Sequence, residues 1–243
     1  ERYKENIELA TQIKEAILGN RIICHYQPLL NIENSEIYSY ESLVRLIDNK
    51  GNSLAPYKFL DFSKKIKLYS SITKIVVDKA CKTFQNRDEN FSINLSVDDI
   101  KDLETVDFIL KTIKETNTSS RVTFEILESE GIENYQEVIS FINQIKSLGA
   151  RIAIDDFGTG YSNFEHLLRL DVDYIKIDGS LIKNIVTDDK HRLIVETIVS
   201  FAKRIGIKTV AEFVSDEKIL QTIKEIGISC AQGYHIGKPE TLV

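Results

Sequence analysis

The stretch that decides the fold is Arg151-Ile152-Ala153-Ile154-Asp155-Asp156-Phe157-Gly158-Thr159-Gly160. In an extended chain Ile152 and Ile154 fall on one face, and Ala153 and Asp155 on the other. The run is apolar enough to be buried on both faces. It stops on two acids and turns through glycines into Ser162-x-x-Glu165, a helix-opening pattern. A buried strand that turns straight into a helix is the repeating unit of α/β folds. Two adjacent carboxylates resist close approach unless a cation sits between them. Taken alone, the segment also reads as a plain strand-to-helix turn with glycines where φ is positive. The rest of the chain decides between the two.

Working outward, six further apolar runs meet a polar functional group at their ends. These are Glu41 after Ile-Tyr-Ser-Tyr, Asn94 after Phe-Ser-Ile, Glu125 after Val-Thr-Phe, Lys176 in Tyr-Ile-Lys-Ile, Glu212 after Thr-Val-Ala and Gln232 after Ser-Cys-Ala. Apolar alternation predicts strands over 21–30, 37–46, 91–95, 121–126, 151–155, 174–177, 207–211 and 228–231. Helical spacing predicts helices over 1–18, 56–67, 68–84, 98–115, 134–148, 163–169, 189–205 and 216–226, with Pro56 at a first helical turn. Residues 31–36 are too few for a crossover helix, so the first two strands form an antiparallel hairpin. Eight strands alternating mostly with helices predict one α/β domain over 1–243, a (β/α)8 barrel with one irregular strand. In such a barrel the strands' carboxyl ends share one mouth. Parity aims the functional groups there: Ser92 with Asn94, Thr123 with Glu125, Ala153 with Asp155, and Glu41 with Leu43 and Arg45 share faces opposite the larger apolar residues.

Composition bounds the function. Of 243 residues 42% are hydrophobic, enough for a large core, and the net charge of −6 argues against a nucleic-acid polymer as partner. No apolar run is long enough to span a membrane, so no membrane contact is expected of this segment. Cys24, Cys81 and Cys230 are widely spaced in apolar contexts, read as buried thiols of a cytoplasmic protein. A start at Glu1 and the absence of methionine suggest a segment of a longer, multidomain protein, whose remainder could carry a membrane anchor.

The ligand set is oxygen-rich. Glu41, Asn94, Glu125, Asp155 and Asp156 suit hard divalent metals, and two such ions suit phosphoryl chemistry. Lys176 is a cation among acids, either balancing charge or holding the nucleophilic water and the charge that grows on phosphorus. Glu212 is a candidate general base or outer ligand. Arg45 would meet a phosphate or pair with a nearby acid. Gln27 and Gln232 would bond substrate edges or serve as buried structural amides. His25, His166, His191 and His235 have no metal-binding spacing, with His166 and His191 on helix surfaces. No serine nucleophile elbow or phosphate-binding Gly-x-x-x-x-Gly-Lys loop occurs.

These residues resemble the EAL domain family, the modules that hydrolyse cyclic di-GMP, and the resemblance spans essentially the whole chain. Tyr26-Gln27-Pro28 resembles the first-strand signature, and Glu41-Ser42-Leu43 with Arg45 the Glu-x-Leu-x-Arg signature. Asn94-Leu95-Ser96, Glu125 with Glu128, the segment 155–162, Lys176-Ile177-Asp178 and Gln232-Gly233-Tyr234 with Pro239 are similar to the remaining motifs. The resemblance implies a modified (β/α)8 barrel of TIM type with one antiparallel strand, and two Mg²⁺ or Mn²⁺ ions on Glu41, Asn94, Glu125, Asp155 and Asp156. It implies that Lys176 and Glu212 position or activate water, and that Gln27, Leu43, Arg45, Asp178 and Gln232 contact the dinucleotide. Asp156 to Asn163, including Phe157, Gly158, Thr159 and Gly160, would be a loop coupling metal binding to homodimer formation, anchored by Glu128. The product would be linear pGpG, and a GGDEF or sensor domain would precede the segment in the parent chain.

One departure stands out. The family's Ala-Glu-Gly-Val-Glu reads Ala211-Glu212-Phe213-Val214-Ser215. The second acid is lost and a bulky ring replaces glycine; Phe213 would crowd the rim or stack on a guanine. The alternative to an active phosphodiesterase is therefore a weak or inactive domain that senses cyclic di-GMP. A third reading, proton abstraction beside a carboxylate by an enolase-type barrel, is opposed by Asn94 and the double aspartate.

Overall fold

The structure is a computed structural model that describes residues 2–130, 136–158 and 164–242. Its strands are β1 (Ile22–Asn31), β2 (Glu36–Ile47), β3 (Ser53–Leu54), β4 (Asn90–Leu95), β5 (Val122–Leu127), β6 (Arg151–Phe157), β7 (Tyr174–Ile177), β8 (Lys208–Ala211) and β9 (Cys230–Ala231). They close into a barrel in the order β1-β9-β8-β7-β6-β5-β4-β2, with β2 returning to β1 and the two-residue β3 added on β2. β1 runs antiparallel to both its barrel neighbours, and the other barrel pairs are parallel. The irregular strand expected from the short 31–36 connection is thus β1.

The helices are α1 (Arg2–Leu18), α2 (Leu60–Lys65), α3 (Tyr69–Phe84), α4 (Val97–Lys101), α5 (Leu103–Glu115), α6 (Gln136–Ser147), α7 (Phe164–Arg169), α8 (Gly179–Lys183), α9 (Asp189–Arg204) and α10 (Glu217–Ile226). Their ends follow local chemistry. Ser96 and Asp99 form a reciprocal capping box for α4, and Asp216 opens α10 by accepting from the Ile219 amide at 3.0 Å. α10 ends at Gly227 with φ of 86°, the left-handed position that glycine fills without strain. Two expected helices divide. The 98–115 helix breaks at Asp102, whose backbone is extended (φ −84°, ψ 104°) and whose carboxylate accepts the Thr105 hydroxyl at 2.6 Å. The 56–67 helix is a single 3₁₀ turn, Pro56–Lys58, followed by α2. α8 and β3 had no periodic signal because each is too short to carry one. Among the described residues, no helix is long and apolar enough to cross a membrane.

Two apolar layers stabilise the barrel. The larger lies between strands and helices and includes Phe91, Ile93, Phe124, Ile126, Ile152, Ile154, Ile175 and Ile177, all buried. Burial of each such side chain contributes roughly 1.5–3 kcal/mol before chain entropy is counted. The smaller lies inside the barrel: Ala153, Tyr174, Val210 and Cys230, with Leu29 and Tyr38 against them. Ala153, Tyr174, Val210 and Cys230 each lie two positions before Asp155, Lys176, Glu212 and Gln232 in sequence. Leu29 lies two positions after Gln27, as the reversed direction of β1 requires. Period-two geometry therefore stacks an apolar plug directly beneath a polar layer.

Candidate active site

The polar layer takes one side chain from each barrel strand: Gln27 and Glu41 from the middle of the long β1 and β2, and Asn94, Glu125, Asp155, Lys176, Glu212 and Gln232 from within two residues of the carboxyl ends of the other strands. Lys176 is its hub. Its Nζ lies 3.2 Å from Glu41, 2.6 Å from Glu125, 3.2 Å from Asp155 and 3.0 Å from Glu212. Asn94 donates to Glu41 Oε1 at 2.7 Å, and Gln232 donates to Glu41 Oε2 at 2.7 Å. Gln232 also reaches toward Gln27 Oε1 at 3.4 Å, while Gln27 donates to the Gly237 carbonyl at 3.1 Å. Both amides thus brace the layer as well as lining it.

One lysine cannot balance these acids. Burial first, then Glu41 and Asp155, push the Glu125 carboxyl up to about 8 despite Lys176 beside it. Burial, with Asp155 and Glu41, likewise raises Glu212 well above the carboxylate range. Asp156 is lifted to about 6 by burial and by Asp155 and Asp178. Burial would raise Glu41 too, but Lys176 and the bonds from Asn94 and Gln232 hold it net below its usual value. Burial opposes charge on Lys176, yet its four carboxylates raise it well above an ordinary lysine.

Two overlapping oxygen groups lie within 4.8 Å: Glu41, Glu125 and Asp155, and Asp155, Asp156 and Glu212. They share Asp155. Five carboxylates against one lysine leave a formal deficit of four positive charges, which two divalent cations would supply. The donors are hard oxygens, and Asn94 adds a carboxamide beside Glu41. The residues fit a pair of hard divalent ions.

Asp156 adopts φ of 53° and its amide donates to Asp155 Oδ1 at 3.0 Å, so the chain turns at the strand end and brings both acids toward the mouth. The amide of Gly158 donates to Glu128 Oε2 at 3.2 Å, one contact between Glu128 and this segment, and Phe157 is buried. Thr159, Gly160 and the Ser162 capping box lie outside the described residues, as does the side chain of His166. Arg45 is half-buried, with Tyr234 and Glu41 among its charged or polar neighbours, and Leu43 lines a cavity beside Asn94. Asp178 accepts from the Ser180 amide at 2.7 Å, opening α8, and also faces Asp156.

The departure from the family pattern has a definite geometry. Ser215 is exposed and its hydroxyl donates to Asp216 at 3.1 Å, at the cap that opens α10. Phe213 keeps φ of 56° and is 72% exposed. A methyl group added at Gly179 would lie 2.2 Å from its Cδ2, so the ring is seated on the bare backbone that follows Asp178. The sequence reading missed Gly179; a glycine opening a short helix was its only signal. A strained φ costs about 1 kcal/mol or more. Burying the remaining quarter or so of a phenylalanine returns less than about 1 kcal/mol. Folding therefore gains little from a phenylalanine here.

The architecture is that of a TIM-type barrel with an acidic mouth. Residues 10–239 match the family model described as EAL domain, and the chain belongs to that family. It is 35% identical over 240 residues to the cyclic di-GMP phosphodiesterase PdeB of Shewanella oneidensis, covering 96% of this chain and 28% of that protein. It is 31% identical over 244 residues to the probable cyclic di-GMP phosphodiesterase PdeA of Escherichia coli, covering 98% and 33% respectively. The chain spans about a third of the length of these curated relatives. Its structure superposes on that of the PaMucR phosphodiesterase in complex with c-di-GMP with a TM-score of 0.90 at 28% identity, covering 96% of this chain and 97% of that one. The FimX EAL domain of Pseudomonas aeruginosa bound to c-di-GMP, at 21% identity and a TM-score of 0.89 over 96% of each chain, shares the fold.

Proposed function

We propose that this chain is a metal-dependent phosphodiesterase that opens cyclic di-GMP to linear pGpG. The observation that carries the reading is the pair of carboxylate groups sharing Asp155, with a charge deficit that Lys176 alone leaves open. Mg²⁺ or Mn²⁺ ions would be held by Glu41, Asn94, Glu125, Asp155 and Asp156. When bound, such ions supply Lewis acidity, easing deprotonation of a water and neutralising phosphate charge.

The protein's own groups account for the rest. Lys176 Nζ, fixed by four carboxylates, orients the attacking water and stabilises the charge that grows on the phosphoryl oxygens. Glu212 has a raised proton affinity and lies against Lys176, so its carboxylate accepts the water proton. The water oxygen bonds phosphorus, the bond from phosphorus to the 3′ oxygen breaks, and the proton returns to that oxygen. Gln27, Leu43, Arg45, Asp178 and Gln232 line the dinucleotide, with Arg45 on a phosphate. Glu128 and the loop from Asp156 to Asn163 would couple the site to a homodimer in the cytoplasm, and the barrel would work as one module beside a GGDEF or sensor domain. Sedimentation that gives a concentration-independent monomer would remove the dimer from this reading.

The test is direct. The purified chain is incubated with cyclic di-GMP and Mg²⁺ or Mn²⁺, with an EDTA control, and the nucleotides are separated by chromatography. Metal-dependent pGpG is expected. The Ser215 and Phe213 departure favours a second reading, a sensor that binds without cleaving; tight binding in Mg²⁺ with intact nucleotide would select it.

A further inference from the structure

We propose that Phe213 is a stacking residue: its ring takes one planar base of the bound cyclic dinucleotide and positions the ligand over the mouth. The inference rests on the reading of this site as a cyclic di-GMP site. Phe213 directly follows Glu212, whose carboxylate is 3.0 Å from Lys176 Nζ, so the ring stands one residue from the reacting cluster. It projects between the ends of β7 and β8, seated on Gly179, where a side chain would displace it. With 72% of the residue exposed, most of the ring surface remains open.

The backbone is held in its left-handed conformation from both sides. The Glu212 amide donates to the Ile177 carbonyl at 3.3 Å, and the Val214 amide donates to the Gln232 carbonyl at 3.0 Å. The Val214 carbonyl accepts from His235 at 3.1 Å, and Gly233 is bare against the Val214 backbone. The rim therefore fixes where the ring points. A rigid, exposed aromatic offers a π-face to any nucleobase, and stacking of this kind tolerates every base. The role is affinity and placement, separate from bond cleavage.

The sequence contains no tryptophan, so Phe213→Trp creates a single tryptophan, which can be excited selectively over the ten tyrosines. Rapid mixing of that variant with cyclic di-GMP and Mg²⁺ should quench its emission before product appears. In steady state, Phe213→Leu keeps the apolar bulk and the strained φ but loses the π-face; KM should rise about tenfold with kcat within about twofold. Phe213→Tyr should keep the wild-type KM. Phe213→Gly relieves the backbone, so it should melt no lower than wild type while sharing the raised KM, which a folding defect would not produce. A wild-type KM in both Phe213→Leu and Phe213→Gly, or unquenched Phe213→Trp that still turns over, would overturn stacking and leave the phosphodiesterase reading standing. A wild-type chain that neither binds nor cleaves cyclic di-GMP would overturn the site reading itself, and the stacking with it.

Discussion

The two ends of the barrel interior are made by the same strands, two residues apart, and they are opposites. Below, Ala153, Tyr174, Val210 and Cys230 form an apolar plug. Tyr38 and Tyr174 share a hydroxyl hydrogen bond of 2.7 Å at its edge, and Arg151 reaches the Tyr38 hydroxyl and the Asn90 carboxamide oxygen. Above, Asp155, Lys176, Glu212 and Gln232 meet Glu41 and Glu125 with too little positive charge. The lower layer pairs its hydroxyls and leaves only the buried Arg151 Nε without a partner among these polar atoms. The upper layer carries more carboxylates than Lys176 can balance, and on the proposed reading bound cations would relieve it. That difference locates stability in one layer and chemistry in the other, and each substitution below tests the division.

The largest effect is expected at the hub. Lys176→Met removes the cation shared by four buried carboxylates. Breaking buried ion pairs from one side costs about 3–5 kcal/mol, at the low end here because the acids can take up protons. Urea denaturation in EDTA should show that loss, and turnover with metal present should fall by about 10²–10³-fold. A variant that retains wild-type turnover would separate Lys176 from the reaction. Glu41→Ala should abolish metal-dependent turnover; unchanged turnover would sink the assigned site.

The next effect is a pH dependence of the upper layer alone. Burial, with Glu41 and Asp155 beside it, pushes the Glu125 carboxyl up to about 8 in the metal-free fold, from an ordinary 4.5. With the folded value raised, its contribution to stability is fully present below the unfolded value. It is lost as pH rises through the folded one. The metal-free Tm should therefore fall from about pH 5 to about pH 8.5, while the Tm gain on adding Mn²⁺ should widen over the same interval as ligand binding needs one fewer proton expelled. A Mn²⁺-induced gain independent of pH across that interval would detach Glu125 from the metal set. Tyr174→Phe, in the lower layer, should leave both the interval and the turnover unchanged.

The legibility of the two layers in the sequence differs for a physical reason. Period-two parity specified the upper layer, because a charge closing an apolar strand is conspicuous. Asp155 after Ile154 and Lys176 between two isoleucines are such cases. The same parity placed the outer core, since Ile152 and Ile154 must face the helices. The lower plug was less visible: alanine, cysteine and valine at inward positions look like any strand interior. The short 31–36 connection revealed that the first two strands pair antiparallel, and the structure shows that β1 is the irregular one; the break at Asp102 was hidden because a single aspartate, though a poor interior residue, is tolerated within an otherwise periodic helical run. Gln232 illustrates a role that sequence leaves open. As a candidate substrate contact it proves also to hold Glu41, which a linear pattern cannot express. Phe213 is the reverse case: sequence marks it as anomalous, while only φ of 56° and its seat on Gly179 explain how it fits.

A modest effect is expected from the lower layer. Tyr174→Phe deletes one partner of the Tyr38 hydroxyl at 2.7 Å in a half-buried setting, without creating a cavity. A lost neutral hydrogen bond costs about 0.5–1.5 kcal/mol. Tyr38 retains Arg151 as a neighbour at 3.4 Å, which favours the low end. Denaturant unfolding should register the loss while kcat stays within about twofold. A large fall in kcat would mean that the plug tunes the carboxylates above it, and the division between layers would fail.

The smallest effect is expected where the family pattern is broken. Ser215→Glu restores the missing acid at an exposed position whose present hydroxyl bonds Asp216 at 3.1 Å. Adding a charge next to Asp216, which opens α10, brings a third acid to a helix start that already holds Asp216 and Glu217. The helix dipole favours each by a few tenths of a kcal/mol, while their mutual repulsion opposes it by a similar amount. Stability should therefore change by less than about 0.5 kcal/mol in thermal unfolding. Turnover should change by less than about twofold, because an exposed charge screened by water couples weakly to a buried cluster. A many-fold rise in kcat on Ser215→Glu would show that the second acid acts across the rim after all, and that the serine is what holds this chain toward sensing rather than cleavage.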